Sequence, residues 1–191
     1  MVLLLDRPAE QRFIHRGVSW NNFKTIQQGF ADSPDIRLFY YAGELEILST
    51  SPDHEIVKGN IGYLIEDYLL GQGVDFVATG SFSQEREAVA SVQADESYCF
   101  GGRKPIPDLA IEVVFTSGGP DKLKRYAALG VTEVWFWQAG SIRVYRLQPS
   151  GYQPVSESQC VQGIDLDRLT QCAVIESRPQ SVRAFRSGEG V

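Results

Sequence analysis

The sequence predicts a single α/β domain in which a mixed β-sheet is flanked by helices. Three observations favour this fold class: a β-hairpin leads into a long amphipathic helix, two almost wholly apolar runs follow, and a short helix lies between those runs. Its 191 residues, 43% of them hydrophobic, suit one globular domain over 1–191. We expect the core over about 18–147 and a C-terminal extension over 148–191.

The chain opens with a predicted helix and a hairpin. A helix is expected over 19–29, where the Ser19 hydroxyl can cap the amino terminus. The β-rich runs 36–41 and 44–49 are separated only by Ala42-Gly43, which is typical of a tight hairpin turn.

A long helix follows the hairpin. Ser51-Pro52 combines a capping hydroxyl with proline at the first helical position, and Gly71 ends the pattern. At 1.5 Å per residue the predicted helix is roughly 28 Å long. Its apolar stripe consists of Val57, Ile61, Leu64, Ile65 and Tyr68.

The second half of the chain is richer in strands. The apolar run 108–115 suits a central strand buried on both faces. A helix should follow over about 120–129, with Gly130 closing it. Further strands are predicted over 74–78, 82–85, 133–137 and 141–147, and a weak helix over 165–171.

Composition excludes several classes of protein. Three cysteines without a C-x-x-C pair make neither a disulfide framework nor a zinc site, and two histidines exclude a His-rich metal centre. The net charge of −6 is unusual for a dedicated DNA-binding module, although it is compatible with an enzyme whose acidic site holds a metal ion. No run is apolar enough to span a membrane, and we expect a cytoplasmic protein.

Asp108 and Glu112 are carboxylates in an otherwise apolar strand. Side chains alternate along a strand, so both point to the same face. Burial of an unpaired carboxylate is costly. Two carboxylates on one face of a buried strand therefore favour a site for a divalent cation, which prefers oxygen ligands. The alternative is a structural ion pair with Lys or Arg, and for Glu112 alone the two interpretations weigh about equally.

Other polar residues carry weaker signals. Lys122 and Tyr126 share a face of the helix after this strand, so the ammonium could reach Glu112, although a surface lysine is the more common case. Glu44 and Glu46 share a hairpin face that is usually exposed to solvent.

Three segments of the sequence resemble a bacterial family, the Uma-type restriction-endonuclease-like proteins of the PD-(D/E)XK nuclease superfamily. The segments are Y-A-G-E-L-E-I-L-S-T-S-P-D-H, P-D-L-A-I-E-V-V and D-K-L-K-R-Y-A-A-L-G-V-T-E-V-W-F-W. The resemblance covers about residues 18–147. It implies a restriction-endonuclease-like core and hydrolysis of DNA phosphodiester bonds with Mg²⁺ or Mn²⁺.

The resemblance also implies a set of site residues. Asp108 and Glu112 match the acidic P-D-L-x-x-E strand, Lys122 matches the lysine before the helical tyrosine, and Glu44 matches the hairpin glutamate. Asp95 lies where the first aspartate of the superfamily could lie. Asp108, Glu112 and Asp95 would then be metal ligands, with Lys122 and Glu44 assisting catalysis.

One departure from the superfamily pattern keeps alternatives open. The E-x-K motif would place lysine at 114, where this chain has Val114, so Lys122 would have to supply the ammonium. A catalytically silent nuclease fold that acts as a binding or dimerisation module is therefore a rival, as is a hydrolase of other phosphate esters. A homodimer is a reasonable expectation, because two sites can cut both strands of a duplex.

Overall fold

The computed structural model describes residues 11–115 and 122–188, which form two β-sheets and five helices. The helices are α1 (Trp20–Gly29), α2 (Pro52–Gly71), α3 (Leu123–Leu129), α4 (Leu166–Ala173) and α5 (Arg178–Ser187). The predicted α/β class is confirmed. The strands form two sheets instead of the one mixed sheet that the sequence predicts, and within the described residues the chain crosses between the two sheets three times.

The first sheet is antiparallel and has the strand order β1-β3-β2-β6-β5. Its strands are β1 (Gln11–Arg16), β2 (Ile36–Tyr41), β3 (Glu44–Ser49), β5 (Gln84–Arg86) and β6 (Ala90–Val92). Helix α1 packs on one face, so the other face is left for the second sheet and α3.

The second sheet is mixed and has the order β11-β10-β9-β8-β7-β4. Its strands are β4 (Phe76–Ala78), β7 (Glu96–Phe100), β8 (Leu109–Val114), β9 (Glu133–Gln138), β10 (Ser141–Gln148) and β11 (Gly151–Val155). The parallel pair β8–β9 is joined through α3, a crossover typical of α/β proteins. Helices α2, α4 and α5 cover the face opposite α3.

The hairpin β2–β3 has the predicted bounds and turn. Ala42 and Gly43 both have positive φ angles, 48° and 84°, as a two-residue turn between twisted strands requires. Alternation along the strands directs Leu45 toward α1, and directs Glu44 and Glu46 toward the second sheet. The two glutamates therefore face the interior side of the hairpin.

Strand β8 is buried over all of its six residues, as its apolar sequence predicts. Ile111 and Val113 pack toward α2, and Val114 packs toward α3 and the first sheet. Glu112 alternates with them and therefore points into the space between the two sheets.

Several elements lie beyond the sequence-based prediction. Strands β1, β6 and β11 and helix α5 lack a clear signal, and α4 and α5 dock on α2, so the extension after 147 contributes to the core. The predicted start of the α3 helix, before 122, falls partly outside the described residues. Among the described helices, none combines the length and the apolar character that crossing a membrane requires.

Candidate active site

Glu112 is the centre of the candidate site. Its side chain is 1% exposed, and it accepts hydrogen bonds from two residues of the α3 region. Lys122 Nζ lies 2.7 Å from Oε2, and the Tyr126 hydroxyl donates to Oε1. Lys122 and Tyr126 are four residues apart and so lie on one face of the helix, which explains how both reach the same carboxylate.

Asp95 brings a second buried carboxylate to the same end of β8. It lies in the link between β6 and β7, where the chain passes from one sheet to the other. Its backbone N–H donates to the Ile111 carbonyl at 3.0 Å, and its Oδ2 accepts from the Val113 N–H at 2.7 Å. These bonds fix the carboxylate beside the backbone that follows Glu112.

His54 completes this arrangement from α2. The imidazole is fully buried, and its Nε2 lies 3.2 Å from Asp95 Oδ2 and 3.1 Å from the Val113 carbonyl oxygen. Ser51 Oγ accepts a hydrogen bond from the His54 N–H, which sets the first turn of the helix. The helix cap therefore positions the imidazole against Asp95.

The hairpin adds a second layer of charge next to Lys122. Glu46 is fully buried and forms ion pairs with Arg12 at 3.0 Å and with Arg125 at 2.8 Å. Arg125 also donates to Glu44 at 3.1 Å, and the more exposed side of Glu44 pairs with Arg16. Helix α3 is thus tied to the hairpin as well as to β8.

Burial and neighbouring charges shift the pKa values of this cluster. Burial raises the pKa of Glu112, and the negative charge of Asp95 adds to that effect, although Lys122 and Tyr126 oppose it. Burial acts against the ammonium of Lys122, but Glu112 and the neighbouring carboxylates outweigh it, so the pKa of Lys122 is raised. Burial also opposes ionisation of Asp95, but His54, Lys122 and the Val113 amide hold its pKa below the ordinary value.

The donor atoms of the site suit a hard divalent cation. In the part of the chain that the structure describes, no three His, Cys, Asp or Glu side chains converge as a metal-ligand group. Two carboxylates and the Val113 carbonyl are nevertheless the kind of set that Mg²⁺ takes, since it uses one or two carboxylates and keeps several waters. A cation there would also offset the burial and the repulsion from Asp95 that raise the pKa of Glu112.

The structure brings some of the predicted site residues together and separates one of them. Glu112, Lys122 and Asp95 share one electrostatic cluster. Glu44 is linked to it only indirectly, through Arg125 and Glu46. Asp108 precedes the other end of β8, about 13 Å along the strand at roughly 3.3 Å per residue. It accepts from the Phe100 N–H at 2.8 Å and pairs with Lys104 at 2.7 Å, so its contacts are those of a structural carboxylate.

Several residues of the cluster were not among the predicted site residues, and His54, Glu46 and Tyr126 are the ones closest to the predicted set. From the sequence, a histidine in the first turn of a helix, such as His54, is more often a surface or capping residue. Glu46 is expected to face solvent, and Tyr126 only marks a helix face. For Glu46, the signal that could have found it is strand alternation. Glu46 lies on the same face of β3 as Leu48, an apolar residue that packs in the core between the two sheets. For His54 the signal is its place at the third residue of a capped helix that follows the hairpin.

Comparisons with known proteins agree with this fold. The model of the Uma2 family, described as "Putative restriction endonuclease", matches residues 20–175. A solved structure, a "putative nuclease belonging to DUF820 from Anabaena variabilis ATCC 29413", superposes with a TM-score of 0.50 at 14% identity, over 88% of this chain and 99% of that one. No curated protein matches the sequence.

Proposed function

The chain belongs to the Uma2 restriction-endonuclease family, and from this premise we propose that it is a metal-dependent endonuclease that hydrolyses phosphodiester bonds of DNA. The observation that carries the proposal is the buried Lys122–Glu112 pair beside Asp95 at the carboxyl end of β8. Buried charges are costly unless they are paired or used, and ionisable groups with perturbed pKa values cluster at functional sites.

In this proposal Asp95, Glu112 and the Val113 carbonyl would hold Mg²⁺ or Mn²⁺. The bound ion would supply Lewis-acid polarisation of the scissile phosphate. Asp95 suits the role because its lowered pKa keeps it ionised at neutral pH. Asp108 is left out of the ligand set because its side chain is bonded to Lys104 and to the Phe100 backbone at the other end of the strand.

Lys122 would assist at the reacting phosphate. Its raised pKa keeps the ammonium charged, and the carboxylates of Glu112 and Glu46 hold it in a buried place where a fixed charge acts strongly. From there it can orient the attacking water or balance negative charge that develops on the phosphate oxygens. Tyr126 and His54 would be positioning residues, since each hydrogen-bonds to a proposed metal ligand.

A cleavage assay tests the proposal directly. Supercoiled and single-stranded DNA would be incubated with Mg²⁺ or Mn²⁺ and with wild type, Glu112→Gln or Asp95→Asn. We expect each variant to lose on the order of 10³-fold or more in rate, equivalent to about 4 kcal/mol of barrier. Asp108→Asn is the matched control, because it removes an aspartate next to the same strand but away from the cluster; it should retain cleavage.

The remaining outcomes would each contradict the proposal in a distinct way. If Glu112→Gln cleaves DNA at nearly the wild-type rate, Glu112 is not a metal ligand of the active site. If no DNA is cut while a divalent ion still raises the melting temperature, another phosphate ester becomes the better substrate. Neither cutting nor a metal effect would favour a silent binding module. Action as a homodimer and a cytoplasmic location stay predictions.

A further inference from the structure

We propose that a basic cleft between β1 and α3 is a subsite for a nucleic-acid backbone phosphate; this inference rests on the proposed function. The cleft has a volume of about 500 Å³. It lies between the edge strand β1, the turn of the β2–β3 hairpin and the exposed side of α3. Its charged lining consists of Arg12, Arg16, Glu44, Lys124 and Arg125.

Charge at this cleft has the opposite sign to that of the whole chain. Four cationic side chains line it against one carboxylate, Glu44, with Glu46 buried behind. Among the residues that the structure describes, an excess of two positive charges remains even when both glutamates are counted. The net charge of the whole protein is −6. Such a concentration of cations attracts phosphates, which dominate the affinity of proteins for DNA.

The individual cations are arranged to bind an anion. Lys124 forms no ion pair within the described part of the chain, so its charge is available. Arg16 uses Nε for Glu44, and its side chain is 84% exposed. The inner wall is Arg125, whose Nη1 is buried without a hydrogen-bond acceptor among the described residues. Arg125 therefore lines the cleft with a guanidinium whose hydrogen-bonding capacity is not fully used.

The larger cleft of the molecule is a weaker candidate. It measures about 980 Å³ and includes Lys24, Arg37 and Lys58 in its lining. Lys24 pairs with Glu85, and Arg37 and Lys58 both lie within 4 Å of Glu55. Asp35 also lines this cleft, so among the described residues three carboxylates match the three cations. The positive charges in the larger cleft are therefore largely neutralised, whereas the β1–α3 cleft has an excess of positive charge.

The position of the basic cleft relative to Lys122 suits a phosphate near the scissile one. Arg125 is three residues after Lys122, and side chains at that spacing on a helix are about 5–6 Å apart at Cβ. Glu46 also links the two residues. It forms an ion pair with Arg125 at 2.8 Å, and its negative charge stabilises the ammonium of Lys122. A strand of DNA whose scissile phosphate meets Lys122 would place a neighbouring phosphate at this cleft.

Binding measured without cleavage tests the subsite. Fluorescence anisotropy of a fluorescein-labelled DNA duplex in Ca²⁺ or EDTA would compare wild type with Arg16→Gln/Lys124→Gln. We expect roughly ten-fold weaker binding or more at moderate salt, and a salt dependence that is shallower by about one to two units of slope. Lys124→Gln alone should give part of this change.

The control is Arg103→Gln/Arg183→Gln, which removes the same charge from two exposed positions away from the cleft. If this control weakens binding equally, the effect is that of net charge, and the subsite is overturned. Wild type that binds no DNA also overturns it. If wild type cuts DNA but the cleft variant binds like the control, the subsite fails and the nuclease stands. If the cleft variant weakens DNA binding more than the control does, but the wild type cuts no DNA, the subsite is supported and the nuclease activity is contradicted.

Discussion

Lys122 of the α3 region and Glu112 of β8 form a buried ion pair with an N–O distance of 2.7 Å. The lysine side chain is 5% exposed and the glutamate 1%, so water screens the pair very little. Val114, the position where the superfamily motif would have lysine, is itself buried among apolar residues of α3 and the two sheets. In this chain an ammonium therefore reaches Glu112 from the helix instead of from the strand.

The first prediction concerns the cost of breaking this pair. Lys122→Met should lower the free energy of unfolding by about 3–5 kcal/mol, because it leaves the buried Glu112 carboxyl without the ammonium that offsets its desolvation. The double variant Lys122→Met/Glu112→Gln should recover much of that loss, since no uncompensated charge remains. Urea denaturation of the wild type, the two single variants and the double variant gives a double-mutant cycle, which measures the interaction free energy of the pair. Strictly additive losses would mean that the two residues do not interact.

The second prediction concerns His54, whose imidazole lies against Asp95. Residues behind a metal ligand orient it, and their loss typically weakens metal binding by about 10–100-fold. His54→Ala should therefore raise by that factor the Mg²⁺ concentration that half-saturates thermal stabilisation. His54→Gln should recover part of the affinity, because its amide nitrogen can donate from a place near that of Nε2.

His15→Gln is the matched control for this measurement, because His15 is exposed on β1 and is the only other histidine. It should leave the Mg²⁺ midpoint unchanged. A purely structural role of His54 would lower the melting temperature of His54→Ala without moving that midpoint, and this result would contradict the positioning role.

The sequence predicts the elements that are specified locally. The hairpin follows from β-rich runs around Ala42-Gly43, and α2 follows from its Ser51 cap and its proline, so both have the predicted bounds. The burial of β8 follows from its apolar composition. In each of these cases, neighbouring residues in the chain supply the physical reason.

What the sequence does not predict depends on distant contacts. Strand β1 is largely exposed and lacks a clear apolar pattern, and it exists because it pairs with β3. Asp108 shares strand parity with Glu112, but parity does not show that the Phe100 N–H of the neighbouring strand β7 takes up the Asp108 carboxylate. His54 joins the site only because α2 brings it next to Asp95, 41 residues later in the chain.

The third prediction concerns Glu133, which anchors the segment after β11. This fully buried carboxylate accepts from Trp135 Nε1 at 2.8 Å, from the Gln159 N–H at 3.0 Å and from the Ser158 hydroxyl. Glu133→Ala should cost at least about 3 kcal/mol of unfolding free energy, since each buried donor left unpaired costs about 1–3 kcal/mol. Chemical denaturation measures this, with the exposed Glu157→Ala as a control that should change stability by less than about 0.5 kcal/mol.

The last prediction concerns pH and Glu96. Burial raises the pKa of Glu96 to about 7, and nearby carboxylates add to burial while Lys58 opposes it. Space around the side chain is tight, since a Cβ at Gly62 would lie 3.2 Å from its Cδ. The folded protein thus keeps a proton that the unfolded chain, with its ordinary pKa of 4.5, releases earlier. Stability should therefore fall as pH rises from about 4.5 to about 7.

Glu96→Gln imitates the protonated carboxyl and should remove this pH-dependent loss. Relative to wild type, it should be more stable by roughly 1–3 kcal/mol at pH 8 and nearly equal at pH 4.5, since a pKa unit corresponds to about 1.4 kcal/mol. Melting curves at both pH values would measure the difference. Glu176→Gln, at an exposed position, controls for the removal of one negative charge from an acidic protein. An equal gain in the two variants at pH 8 would assign the effect to net charge and not to the burial of Glu96.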